Sequence, residues 1–180
     1  MKATGIVRRI DELGRIVIPK EIRRTLRIRE TDPMEIFTDS DGTIVLKKYS
    51  PIGEIGVFAK QYAEALASVA GHVVVITDRE QVIAATGPMR NDYMGKRVTK
   101  ALETMMDDRQ VVNSTGKNGV VIFAEGVNIS DCEQVIYPII CEGDVIGSVI
   151  IMSKDNNKFS ETEHKLAGVA AIFLGKQMEN

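Results

Sequence analysis

Gly14-Arg15-Ile16-Val17-Ile18-Pro19, running on into Lys20-Glu21-Ile22-Arg23-Arg24-Thr25-Leu26, is the stretch whose reading decides the fold of the N-terminal part of this chain. Arg15 to Ile18 ends in a β-branched run and reads as a strand. Proline cannot donate to a sheet ladder but suits the start of a helix, so Pro19 marks a strand-to-helix switch. Ile22 and Leu26 then fall four apart on one helical face while Arg23, Arg24 and Arg27 project elsewhere, which makes the helix short and basic. Upstream, Thr4 to Ile10 reads as a strand carrying Arg8 and Arg9, joined to the quoted stretch by the turn Asp11-Glu12-Leu13-Gly14. Downstream, Met34 to Thr38 and Thr43 to Leu46 flank Asp41-Gly42, a strong hairpin signal.

The resulting order is strand, strand, helix, strand, strand within about fifty residues, near the lower size limit for a self-sufficient core. Chains this small usually need disulfides, metal or a second copy. Cys132 and Cys141 lie far from this segment and in no C-x-x-C pattern, so neither a disulfide framework nor a zinc site is expected. The segment is therefore expected to form an obligate dimer with a shared core.

Charge divides the chain in the same place. Residues 1–49 hold 11 Lys and Arg against 8 Asp and Glu, and residues 50–180 hold 12 against 17. Residues 1–29 are steeper still, with 9 basic side chains against 3 acidic, so the N-terminal end is expected to meet a polyanion. Apolar residues make up 44% of the chain, which excludes a disordered or fibrous class. No apolar run reaches the ~20 residues that span a bilayer, so the expectation is a cytoplasmic protein without a membrane partner.

Ser50 closes the first domain, residues 1–50, and 51–53 are expected to be a linker. Residues 54–180 read as α+β. Ile55, Phe58, Ala59, Tyr62, Leu66 and Val69 mark one helical face. His72 to Thr77 and Val82 to Thr86 read as strands around Asp78-Arg79-Glu80. A helix is expected over Val98 to Met106 and a short strand near Val120 to Phe123. Gln134 to Cys141 and Val145 to Met152 form a hairpin turning at Glu142-Gly143-Asp144. Ser160-Glu161-Thr162-Glu163 has the form of a capping box, opening a helix with Leu166, Ala170, Phe173 and Gln177 inward. His72 and His164 sit in no catalytic pattern, so no enzyme activity, catalytic residue or metal site is expected.

The run Met1-Lys2-Ala3-Thr4-Gly5-Ile6-Val7-Arg8-Arg9-Ile10-Asp11-Glu12-Leu13-Gly14-Arg15-Ile16-Val17-Ile18-Pro19, continuing through Leu26, closely resembles the N-terminal domain of AbrB-type transition-state regulators. The match is dense over about fifty residues, and the two-domain layout is similar to sporulation regulators of that type. The resemblance implies an α+β protein: an N-terminal swapped-hairpin, β-rich dimer domain followed by a GAF-like sensor domain. It implies a transcription regulator of sporulation genes, both activator and repressor, that assembles as a homotetramer through the GAF-like half. The positions matching the family's DNA contacts are Arg8, Arg9, Arg15, Arg23 and Arg24. Arginine suits that role because its planar fork pairs with phosphate or with guanine O6 and N7.

The competing reading of these arginines is a solvated face paired with Asp11, Glu12 and Glu21. No cofactor is expected, and the residues of any effector site are unknown; the resemblance leaves open an unidentified small molecule bound between the GAF-like sheet and the rims at Gly87 to Gly95 and Val112 to Asp131. Two other functions compete. One is an antitoxin of the same N-terminal fold, and the other is a GAF-like half serving only as an oligomerisation scaffold.

Overall fold

The structure is a computed structural model that describes residues 4–54, 56–114, 119–129, 132–153 and 159–179. Ile55, expected on a buried helix face, and the parts of the expected rim at 115–118 and 130–131 lie outside the described residues. Two compact units meet between Tyr49 and Ser50.

The first unit holds helix α1 (Lys20–Thr25) and the hairpin β1 (Met34–Thr38) and β2 (Ile44–Lys48). Two of its turns are built alike. At the first, the Gly14 N–H donates to the Asp11 carbonyl at 2.9 Å and the Asp11 N–H to the Arg15 carbonyl at 3.1 Å. At the second, Gly42 donates to Asp39 and Asp39 to Thr43, each at 3.0 Å. Gly14 at φ 75 and Gly42 at φ 83 take the left-handed position such loops require. In the hairpin Ile36 pairs with Leu46 and Thr38 with Ile44 on one face, while Glu35 faces Lys47 and Phe37 faces Val45 on the other.

The strands expected at 4–10 and 15–18 are not formed within the chain, although the turn between them is. A strand exists only beside a hydrogen-bonding neighbour, and the described residues of this unit provide none for these two segments.

Residues 51–53, expected as a linker, belong instead to helix α2 (Pro51–Glu54) of the second unit, with Ile52 fully buried. Proline at a first helical position is pre-set for it, and the apolar Ile52 has a core to enter. Helix α3 (Gly56–Ala70) follows, then β3 (Val73–Asp78), β4 (Val82–Ala85), α4 (Arg90–Tyr93), α5 (Lys100–Asp107), β5 (Val112–Ser114), β6 (Gln134–Cys141), β7 (Asp144–Met152) and α6 (Glu161–Gln177).

The strands form one antiparallel sheet in the order β4-β3-β7-β6-β5. Val74, Ile76, Val149 and Ile151 point to a core shared with α2, α3 and α6; Val75, Ile136, Ile150 and Met152 point to a second core with α5 and the 119–129 segment. Both faces are covered, so the central strands read as unbroken apolar runs. The β6–β7 hairpin turns at Glu142 and Gly143, with φ 48 and 88, as a tight two-residue turn demands.

Helix α6 buries Ala167, the expected Ala170, Ala171, Leu174 and Gly175, and Leu166 packs half-buried against the same core, whereas Phe173 and Gln177, also expected inward, are exposed. Its small-residue side lies against β6, where a Cβ at Gly175 would meet the Ile140 carbonyl carbon at 3.1 Å and its oxygen closer still. Phe173 turns sideways and stacks on Tyr62, with ring centroids 5.3 Å apart. Val69, also expected inward, is exposed. The capping box is present, with the Ser160 N–H donating to Glu163 Oε2 at 2.7 Å.

No strand forms at Val120 to Phe123; the Gln134 side chain takes the place of a neighbouring strand. Its Oε1 accepts from the Val121 N–H at 2.8 Å and its Nε2 donates to the Val121 carbonyl at 3.0 Å.

Candidate nucleic-acid interface

Arg8 and Arg9 sit exposed on segment 4–10, with Arg8 Nη1 donating to the Val7 carbonyl at 3.1 Å. Asp11 draws Arg15 back toward that segment. One carboxylate oxygen accepts from the Arg15 N–H at 2.8 Å, and the other from Arg15 Nε at 2.7 Å. The Arg15 backbone and then its guanidinium hold the Asp11 carboxyl below the usual range. The pairing raised as the competing reading is therefore real for Arg15. It orients the side chain through Nε while the guanidinium stays largely solvent-facing.

Arg23 and Arg24 occupy the last turn of α1, where a cation complements the carbonyl end of the helix. Arg24 is exposed and Arg23 half-buried, with its Nε buried and unpartnered among the described residues. The structure thus brings Arg15 to the turn that follows Arg8 and Arg9, and it carries Arg23 and Arg24 on a separate helix. The sequence offers Asp11, Glu12 and Glu21 alike as partners for these arginines, and the structure selects Asp11 for Arg15. The signal for that choice was present: an Asp that opens a glycine turn caps the backbone two and four residues on.

In the second unit the expected rim at Gly87 to Gly95 contains α4, whose Tyr93 ring meets Phe123 edge-on with centroids 5.3 Å apart. Burial pushes the Tyr93 hydroxyl pKa up, and the nearby Cys132 and Asp92 add to it. Phe123, Leu102 and Met106 are fully buried on that sheet face. Gln134, which ties the covering segment down, was missed, although an amide at the head of an apolar strand is itself a signal.

Cys132 and Cys141 are both buried and not in a disulfide, and burial raises the Cys141 thiol first, then the acidic Glu142, Glu179 and Asp144. His72 Nε2 lies 3.8 Å from Glu163, with its ring against Phe159. Among the described residues no group of three or more His, Cys, Asp or Glu side chains is placed to hold a metal ion. No helix among them is long and apolar enough to cross a membrane.

The family described as "Stage V sporulation protein T C-terminal, transcription factor" matches residues 54–179. Over 99% of both chains, this protein is 52% identical to stage V sporulation protein T of Bacillus subtilis (strain 168). The chain belongs to the stage V sporulation protein T family. It is a sporulation transcription factor with an AbrB-like DNA-binding domain, as the N-terminal resemblance and the two-domain layout implied.

Within this stage V sporulation protein T framework the N-terminal unit has its own relatives. It is 65% identical over 51 residues to the transition state regulatory protein AbrB of Bacillus subtilis, covering 28% of this chain and 52% of that protein. The family described as "Antidote-toxin recognition MazE, bacterial antitoxin" matches residues 7–54, a match confined almost wholly to the same unit. The second unit has the GAF fold: the GAF domain of an Acinetobacter phosphoenolpyruvate-protein phosphotransferase superposes with a TM-score of 0.58 at 14% identity. That superposition covers 73% of this chain and 84% of the other.

Proposed function

We propose that two copies of the chain interlace their first units into one swapped-hairpin body that binds double-stranded DNA through Arg8, Arg9, Arg15, Arg23 and Arg24 of each copy. The protein then acts in the cytoplasm by binding, without catalysing a reaction, and activates some sporulation promoters while repressing others. The observation that carries this reading is the missing core of the first unit. Among its described residues only Pro19 is buried, while Val7 is 85%, Leu13 75% and Val17 70% exposed. One face of the hairpin adds Ile36, Ile44 and Leu46 to this uncovered set. Each such side chain contributes about 1.5–3 kcal/mol when fully buried, so a second copy that covers them and pairs residues 4–10 and 15–18 supplies the stability the unit lacks.

The test is a gel-shift titration against salt with Arg8→Ala and Arg23→Ala. Each lost phosphate contact flattens the log-log salt slope by about 0.9, or roughly 1.8 for two copies. Unchanged affinity and slope in both variants would place the DNA surface elsewhere.

The second units extend the dimer to a homotetramer in this reading. Val57, Val69, Val169 and Ile172 are exposed on α3 and α6, and an uncovered apolar set of this kind marks a contact surface. Light scattering on Ile172→Asp should find dimers where the parent is tetrameric; a tetramer that survives the change removes this face from the interface. The GAF-like unit also takes a small-molecule effector against the sheet face under α5 and segment 119–129. The full burial of Phe123, Leu102 and Met106 on that face favours a second reading, in which the unit is a scaffold alone. A thermal-shift screen against metabolites separates them, since a ligand specific for the folded state raises Tm.

A further inference from the structure

Helix α1 ends in a stop motif with an arginine at the position that favours glycine. The Arg27 N–H donates to the Arg24 carbonyl at 3.3 Å and the Ile28 N–H to the Arg23 carbonyl at 2.8 Å, with Arg27 between them at φ 52. This is the Schellman pattern, whose left-handed position favours glycine because a Cβ there is strained. Four residues on, the β-branched Thr31 is left-handed as well, at φ 69.

Lys48, the last residue of β2, holds the loop that contains both. Its ammonium donates to the Arg27 carbonyl and lies 3.0 Å from Asp32 Oδ2. The same carboxylate oxygen accepts the Arg29 N–H at 2.8 Å. The Lys48 and Asp32 side chains are 21% and 17% exposed, so salt screens this pair less than a surface pair.

If the turn needed only its shape, glycine at 27 would give that shape without strain. A strained backbone that carries a long cation points to the side chain as what the position is for. Arg23, Arg24, Arg27 and Arg29 fall within seven residues with no acidic residue among them. We propose that Arg27 and Arg29 are further phosphate-contacting residues of the DNA-binding face, and that Lys48 and Asp32 are positioning residues that fix the loop presenting them. The inference rests on the DNA-binding reading above. In it the stop motif ties Arg27 to the carbonyls of the two arginines already assigned, and the guanidinium forks grip phosphate oxygens beside them.

The experiment measures affinity for double-stranded DNA against salt, together with Tm, on the full-length protein. Arg27→Gly and Arg27→Asn both tolerate the left-handed backbone and remove the charge. Each is expected to weaken binding about tenfold at 0.1 M salt and to flatten the salt slope by roughly 1.8 for two copies. Arg27→Lys should recover most of the affinity and the slope. Lys48→Met should weaken DNA binding in the parent and add less in the Arg27→Gly background, because its effect runs through Arg27. Parental affinity and slope in both Arg27 variants, or a loss that follows a fall in Tm and is not rescued by lysine, overturns the proposal. Arg8→Ala and Arg24→Ala run alongside: if they too bind like the parent, the DNA-face reading has failed, and if only they weaken binding, the present inference alone has.

Discussion

Replacing Gly175 with alanine sets two effects of opposite sign against each other. In a helix interior alanine is favoured over glycine by about 1 kcal/mol, so on propensity alone the variant should be more stable. The packing says otherwise. The new Cβ would stand 3.1 Å from the Ile140 carbonyl carbon, with the oxygen nearer, and both belong to the backbone of β6, which cannot rotate away as a side chain can. Ordinary contact lies near 3.5–4.0 Å, so α6 must lift by roughly 1 Å and loosen Ala167, Ala170, Ala171 and Leu174. Overpacking of this kind costs about 1–3 kcal/mol and sometimes more, and the constrained backbone puts Gly175→Ala at the upper end. The net expectation is a loss of about 2 kcal/mol, seen as a lower urea midpoint with unchanged m and a Tm about 6 °C lower. Gly56→Ala is the control, since a Cβ there meets nothing within 4 Å and should leave stability level or improve it. A Gly175→Ala protein as stable as the parent would refute the close seating of α6 on β6.

Two further outcomes follow from buried or locally capped groups. Burial would raise the Glu163 carboxyl, but the Ser160 hydroxyl and N–H, with His72 nearby, outweigh it and hold it below the usual carboxylate range. Its contribution is therefore present above the unfolded carboxylate pKa and lost as pH falls through the lower folded value. Glu163→Gln should cost about 1 kcal/mol at neutral pH and flatten the acid limb of the stability profile; an acid limb identical to the parent's would count against the capping role. Gln134→Leu strands the Val121 N–H and carbonyl and should cost about 2–4 kcal/mol, with amide exchange rising across 119–129 and not across β6 and β7. Unchanged exchange in that segment would mean that Gln134 does not hold it.

Features written in local residues were legible in the sequence. The β6–β7 hairpin, the Ser160 capping box and the helix start after Pro19 each depend on a few neighbours, and the structure has all three. What failed depended on partners the sequence does not rank. The face of α6 was assigned by side-chain size, but glycine and alanine allowed the closer approach to β6 and sent Phe173 to the side. Ile52 sits between Pro51 and Gly53, which together look like a linker, and its burial follows from contact with a distant core. The Val121 segment reads as a strand by composition, yet a glutamine side chain occupies the pairing position. The arginines were legible by charge and resemblance, and Asp11 with them as a candidate partner, while the Lys48 contacts that hold the Arg27 loop appear only in three dimensions. Segments 4–10 and 15–18 have the composition of strands and no strand neighbour among the described residues of the chain.

Those two segments supply the most direct test of the central claim, that a second copy completes the DNA-binding unit. The measurement is hydrogen exchange of the amides at 6–10 and 15–18 in the full-length protein, followed on dilution alongside the oligomeric state. The account predicts protection in the assembled protein that disappears in step with the population of the N-terminal dimer. Rapid exchange at these amides in an assembled sample, or protection that persists in the monomer, would contradict it.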